Sequence, residues 1–197
     1  MKKYLVNEIF LSLQGEGYWT GTPMVFLRFS GCNLRCPFCD TDHSTSTPYA
    51  LDALLAAVSE VASAPVRRVC ITGGEPALQV DAALVDALHE AGFAVHIETN
   101  GTRPLPSGID WVTFSPKSDF VEAPSPAIEA ADEIKIVFIP GETDADRWLA
   151  FPARHHFLQP CFSSETGSSN VSETVTYILA HPSWRLSLQT HRLLGIR

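Results

Sequence analysis

The sequence has no run approaching the roughly 18 uncharged apolar residues needed by a membrane-spanning helix, so no membrane partner is expected. It also lacks a basic cluster: 14 Lys and Arg stand against 22 Asp and Glu, a net charge of −8. A chain this acidic is a poor match for nucleic-acid backbone, and no nucleic-acid partner is expected. Its first residues, MKKYLVNEIFLSLQGEG, hold no apolar stretch, because Asn7, Glu8 and Gln14 interrupt it. That argues against a signal peptide and for a cytoplasmic protein with reduced thiols. No internal repeat or low-complexity tract is present. Hydrophobic residues form 45% of the chain and run throughout it, so a single domain over 1–197 is expected. Five cysteines do not make a complete set of intrachain disulfides; Cys32, Cys36 and Cys39 crowd together, while Cys70 and Cys161 stand apart.

What is present is an alternation of β-rich and helical segments. Strands are expected at 24–30, 67–72, 94–99, 111–115, 133–139 and 155–159. YLVNEIF near the N-terminus reads as an added edge strand, and WRLSLQTH (184–191) as a further one. Helical periodicity covers 51–63, 80–92 and 171–181, with Gly92 placed for a C-terminus and Asn170 or Ser172 for an N-cap. Prolines at 116, 124 and 126 leave little room for helix between the strands near 111 and 134. Such alternation predicts an α/β fold with a mostly parallel sheet, and about six strands suit an open, partial β/α barrel. Ligands of such folds gather at the carboxyl ends of the strands. Gly73-Gly74-Glu75-Pro76, Asn100-Gly101 and Pro116-Lys117 all follow predicted strands, so these motifs converge on one rim.

The thiols lie in Cys32-Asn-Leu-Arg-Cys36-Pro-Phe-Cys39, directly after a strand. Three thiolates this close can ligate three irons of a [4Fe–4S] cube and leave the fourth iron open. Spacing alone leaves two other readings. Zinc would want a fourth ligand, for which only His43 is near, and Cys36–Cys39 is spaced like a thioredoxin-type pair.

CNLRCPFC together with TGGEP (72–76) resembles the radical S-adenosylmethionine (SAM) superfamily. Within it the chain is similar to the 7-carboxy-7-deazaguanine synthase family. That likeness rests on EIFLSLQGEG (8–17), FLRFSGCNLRCPFCDT (26–41), ITGGEP (71–76), HIETNG (96–101), SPK (115–117), FLQP (157–160) and WRLSLQTHRLLGIR (184–197), in family order over nearly the whole chain. The resemblance implies ring contraction of 6-carboxy-5,6,7,8-tetrahydropterin to 7-carboxy-7-deazaguanine with loss of ammonia, a step toward queuosine. It implies a [4Fe–4S] cluster, SAM and Mg²⁺ as cofactors, an abbreviated barrel and a homodimer; flavodoxin is an electron donor by general analogy. The alternatives are another small radical SAM enzyme, such as a glycyl-radical activating enzyme, or a non-catalytic zinc-binding domain.

By resemblance, Phe38, Cys39, Asp40, Gly74, Ser115, Pro116, Lys117, Gln159 and Pro160 contact SAM, and Thr41 ligates Mg²⁺. Leu13, Gln14 and Gly15 match the pterin-facing segment, and Thr72 is a further substrate candidate. Glu16 is a candidate acceptor for the aminopyrimidine, with a surface carboxylate as the bland reading. Arg28 interrupts an apolar strand, MVFLRFS. A buried arginine needs an anion, either the substrate carboxylate or an internal Asp or Glu. Family members use the terminal carboxylate, which would bring Arg197 to the site, but the family pattern at this end is a small residue or proline. The sequence also departs after Pro160, where Cys161-Phe162-Ser163-Ser164 replaces an acidic-glycine turn. Cys70 reads as core, His155, His156 and His191 as structural, and Cys161 receives no role.

Overall fold

Successive side chains of a strand point to opposite faces, and here the two faces carry different chemistry. The computed structural model describes residues 2–39, 41–63, 65–163 and 166–197. Its main sheet contains β1 (Tyr4–Leu13), β2 (Pro23–Phe29), β3 (Thr47–Tyr49), β4 (Arg68–Gly73), β5 (Ala94–Thr99), β6 (Trp111–Phe114), β7 (Ala131–Phe138) and β8 (Ala153–Pro160). A small hairpin, β9 (Phe162–Ser163) and β10 (Ser168–Ser169), follows, and the two-residue β11 (Arg185–Leu186) completes the main sheet. The order is β11-β8-β7-β6-β5-β4-β2-β1-β3, with parallel pairing from β11 through to β2. The end strands β3 and β11 do not pair with each other, so the barrel stays open. Among the described residues no helix is long and apolar enough to cross a membrane.

The outward face is apolar. Val25, Leu27 and Phe29 of β2, Val69 and Ile71 of β4, and Val95 and Ile97 of β5 are buried with α1 (Leu51–Val61) and α2 (Ala82–Glu90). Leu54, Val58, Leu84, Val85 and Leu88 complete that layer. Ile134, Ile136, Phe138, Leu158 and Trp184 form a second cluster, partly covered by α3 (Val171–Ala180) through Tyr177 and Ile178. Each such side chain stabilises the fold by about 1.5–3 kcal/mol. The alternate positions, Arg28, Thr72, Glu98, Lys135 and Gln159, face a common cavity instead.

Three expectations need correction. WRLSLQTH is strand only at Arg185–Leu186, because Gln189 and Thr190 leave the sheet to bond Glu16 and Gly15. The chain then forms the short α4 (Thr190–Leu194). Asn170 precedes α3 but makes no side-chain cap. Its amide instead accepts from Cys161 N at 2.7 Å and donates to Phe138 O at 2.9 Å, tying the end of β7 to the β9–β10 hairpin. YLVNEIF extends into β1, which is not the edge, since β3 pairs along its outer side.

The β1–β2 connection crosses the lower mouth of the barrel. Tyr18 stacks on Trp111 and His155, with centroids 5.0 and 4.5 Å away, while Trp19 meets His96 edge-on at 5.1 Å. Gly17 has φ +66°, and a Cβ there would lie 2.3 Å from Glu133 Oε1. Only glycine lets the loop pass so close to a buried carboxylate. Glu133 accepts from Tyr18 N at 2.8 Å and Thr113 Oγ1 at 2.9 Å, which fixes the loop against β6 and β7.

Candidate active site

The cysteines occupy the loop between β2 and β3, whose described residues form no strand or helix. Its shape is set from outside. Gly31 N donates to His43 O at 3.1 Å and Ser30 Oγ to Thr45 O at 2.5 Å, closing the base of the loop. Asn33 donates to Thr102 Oγ1 at 2.8 Å and accepts from Asn100 Nδ2 at 3.1 Å. The Asn100 turn is itself held by Glu75, fully buried, which accepts from Asn100 N at 2.7 Å, Thr99 Oγ1 at 2.6 Å and Ala77 N at 2.9 Å. Burial pushes the Glu75 carboxyl above its ordinary range, and these donors pull the other way. The glutamate of Gly-Gly-Glu-Pro therefore links the ends of β4 and β5 to the cysteine loop.

Gly74 makes the second link. A Cβ on it would sit 2.1 Å from Gly31 O and 2.9 Å from Cys32 Cβ, so loop and turn meet backbone to backbone. Cys32, Cys36 and Cys39 are all unpaired thiols on one cavity of about 860 Å³. Burial raises the thiol pKa of Cys32 and Cys36, and the neighbouring thiols add to that; Lys117 opposes it at Cys36. Among the described residues, no three His, Cys, Asp or Glu side chains converge as a single metal ion would need. Thiolates bound to different irons of a cube need not meet at one point, so this donor set fits a cluster better than one zinc.

Across the cavity lies a buried charge network. The Lys135 side chain is 6% exposed and donates to Glu16 Oε2, with Glu98 Oε1 3.5 Å away. Gln159 and Gln189 donate to Glu16 Oε1 at 3.2 and 3.0 Å, and Gln14 donates to Glu98 Oε1 at 3.0 Å. Burial alone would lower the Lys135 pKa, but Glu16, Glu98 and Glu133 outweigh burial and raise it. Burial likewise disfavours charge on Glu16, yet Lys135 and Gln189 hold its pKa below the usual value. The floor thus presents a fixed ammonium flanked by carboxylates. It offers donors and acceptors together.

Arg28 has an internal partner. Its Nε lies 2.8 Å from Glu8 Oε1, and the Arg197 guanidinium takes the other oxygen of that carboxylate. Ser12 Oγ donates to Arg197 O at 2.6 Å. The tail is held further by Thr190 N and Oγ1, each 2.9 Å from Gly15 O. His191 packs against Gly15, where a Cβ would come within 2.2 Å of Nδ1.

The cavity gathers most residues singled out from the sequence. Leu13, Gln14, Gly15, Arg28, Phe38, Thr41, Thr72, Gly74, Ser115, Lys117, Gln159, Pro160 and Arg197 all line it with the three thiols. Lys117 turns back to donate to Ser115 O at 2.7 Å and Ser115 Oγ at 2.5 Å. Pro116 departs from the group: it is buried and faces an adjoining hollow of about 340 Å³. Lys117 borders both cavities, whereas Pro116 lines only the second. Asp40 lies outside the described residues.

Glu16 was expected at the surface by default, whereas it is buried in the floor network. Lys135, Glu98 and Gln189 carried no sequence assignment. The available signal was period two: EIKIVFI and HIETNG place charged residues at every second position of otherwise buried strands.

Three thiols at the carboxyl rim of an open parallel barrel define a radical SAM protein, and a family model described as the radical SAM superfamily matches residues 27–122. Over its full length the similarity is narrower. A 7-carboxy-7-deazaguanine synthase of Bacteroides thetaiotaomicron is 53% identical over 192 residues, covering 98% of each chain. One from Bordetella pertussis is 41% identical, covering 98% of this chain and 99% of its own. The crystal structure of QueE from Escherichia coli superposes with a TM-score of 0.76 at 33% identity, over 94% of this chain and 93% of that one. The chain belongs to the 7-carboxy-7-deazaguanine synthase family.

Proposed function

We propose that this cavity contracts the ring of 6-carboxy-5,6,7,8-tetrahydropterin to 7-carboxy-7-deazaguanine with release of ammonia. Cys32, Cys36 and Cys39 would hold the cluster, with SAM between it and the floor. When bound, the reduced cluster and SAM supply hydrogen-atom abstraction. The chain's own residues supply position and charge.

The observation that carries this reading is the Lys135 network beneath the thiols. Glu16 and Glu98 offer carboxylate acceptors to an aminopyrimidine, and Gln14 is fixed beside them. Arg28, with Arg197 near it, offers cationic donors for the substrate carboxylate, which would compete with Glu8. Leu13, Gly15 and Thr72 complete the substrate wall. Gly74, packed against the cysteine loop, lines the SAM end of the cavity, and Phe38, Ser115, Lys117, Gln159 and Pro160 surround the nucleoside in this reading. Thr41, beside Cys39 on the cavity wall, is the Mg²⁺ ligand in this reading; magnesium keeps most of its water and needs few protein donors. One domain, a homodimer in the cytoplasm and a flavodoxin-like electron donor complete the proposal.

The test is anaerobic reconstitution with reductant, SAM, Mg²⁺ and the pterin, followed by mass spectrometry for the deazaguanine product. Product from wild type and none from Cys36→Ala is expected. Cluster-dependent cleavage of SAM without that product would overturn the substrate assignment while leaving radical chemistry intact.

A further inference from the structure

The turn after β6 carries more than Ser115 and Lys117. Phe120 N and Val121 N both donate to Lys117 O, at 3.0 and 3.2 Å, closing residues 117–121. From this turn the Phe120 ring meets Phe38 edge to face, with centroids 4.7 Å apart and planes at 85°. Phe38 lies between Cys36 and Cys39. Two hydrogen bonds of that arm, Cys39 N to Cys36 O and the Cys39 thiol to Thr41 O, stay within the loop. Phe120 reaches it from a different part of the chain.

The turn is braced from behind. Arg147, in the 3-10 segment Asp146–Ala150, pairs with Asp119 at 2.5 Å and donates to Ser118 Oγ at 2.8 Å. Its guanidinium also lies 5.1 Å over the Trp148 ring. The Asp119 side chain is only 7% exposed, so removing its partner would strand a largely buried carboxylate. Surface ion pairs exchange freely with water; this one is half enclosed and holds two adjacent residues of one turn. The chain of contacts runs Arg147, Asp119, Phe120, Phe38 and then the cysteine arm.

The geometry points to Phe120 as a positioning residue for SAM. Its ring edge fixes the orientation of Phe38, and Arg147 fixes the turn that presents Phe120. The ring and the Ser115–Lys117 segment, which flank the nucleoside from two sides, therefore keep one relative placement. An edge-to-face pair is directional, so a side chain of similar size without a ring would not hold Phe38 in the same way. This inference rests on the reading of Phe38 as a SAM-facing side chain.

The experiment compares reconstituted wild type with Phe120→Ala, Phe120→Leu, Phe120→Tyr and Arg147→Met. Iron content is measured first, then SAM affinity by calorimetry and by the response of the reduced cluster's electron paramagnetic resonance signal. Phe120→Ala should weaken SAM binding roughly tenfold, the loss expected for one aromatic pair. The KM for pterin should stay unchanged, Phe120→Tyr should bind as wild type does, and Arg147→Met should shift SAM affinity in the same direction by less. Wild-type SAM affinity in an iron-loaded Phe120→Ala would overturn the inference. If Phe120→Ala takes up no iron, Phe120→Leu decides: weaker SAM binding supports the role of the ring, and wild-type binding overturns it. A wild-type protein that binds SAM but makes no deazaguanine would sink the proposed substrate, while the affinity comparison would still judge Phe120.

Discussion

Arg28 Nε sits 2.8 Å from Glu8 Oε1 while the other oxygen of that carboxylate engages Arg197, so one glutamate holds two arginines at the cavity edge. The side chains of Arg28 and Glu8 are 20% and 26% exposed, shielded enough for the pair to matter. A substrate carboxylate entering here must displace Glu8 from Arg28 or share the guanidinium with it. Arg28→Met should therefore raise the KM for pterin roughly ten- to hundredfold, as expected for losing a charge-assisted hydrogen bond. Glu8→Gln should lower it, because the competing charge is gone while the shape remains. Steady-state kinetics on both variants decide the matter. An unchanged KM in Arg28→Met would assign Arg28 to the fold alone.

Lys135 is the cation paired with both Glu16 and Glu98 at the cavity floor. Lys135→Met should destabilise the fold by about 3–5 kcal/mol, the usual consequence of leaving buried carboxylates without their partner. Urea denaturation at neutral pH measures this. A loss below ~1 kcal/mol would mean that water reaches the floor and screens it.

Gly74→Ala places a methyl where Gly31 O and Cys32 Cβ already are. The Gly31 backbone and the Cys32 Cβ leave no flexible side-chain end to give way, so the cysteine loop must shift. Iron per chain after reconstitution should fall well below wild type, with far-ultraviolet circular dichroism unchanged. Full iron loading would show that the loop tolerates displacement.

His96 lies among Trp19, Trp111 and Arg68, and burial with the nearby guanidinium lowers its pKa from 6.5 to about 4. Between those pH values the unfolded chain binds a proton that the folded chain refuses. Stability should thus be lost as pH falls from 6.5 toward 4, by up to ~3 kcal/mol from this group. Denaturation midpoints across that window, set against His96→Phe, isolate the contribution. Parallel pH profiles for the two proteins would refute it.

Much of this architecture was readable from residue order. The six long parallel strands follow from apolar runs between helical segments, and the thiol spacing together with Gly73-Gly74 marks the rim. The floor was harder to read because its meaning depends on which strand faces which. Glu98 and Lys135 lie 37 positions apart and meet only once β5, β6 and β7 align. Glu16 read as a surface carboxylate because nothing in LQGEG reveals that its loop turns inward beneath the barrel. The tail at 184–191 misled for a similar reason. Its alternating pattern suits a strand, but bonds to Glu16 and Gly15 pull Gln189 and Thr190 away from the sheet.

Glu16 draws Lys135, Gln159 and Gln189 from 119, 143 and 173 positions further along the chain. Contacts spanning such long loops carry a large closure entropy and form late in folding. The cysteine arm, by contrast, is met by Phe120, with Arg147 bracing that turn, over shorter separations. Iron capture and substrate recognition should therefore mature at different times, so a nascent or partly refolded chain would meet its metal before it has anywhere to seat a pterin.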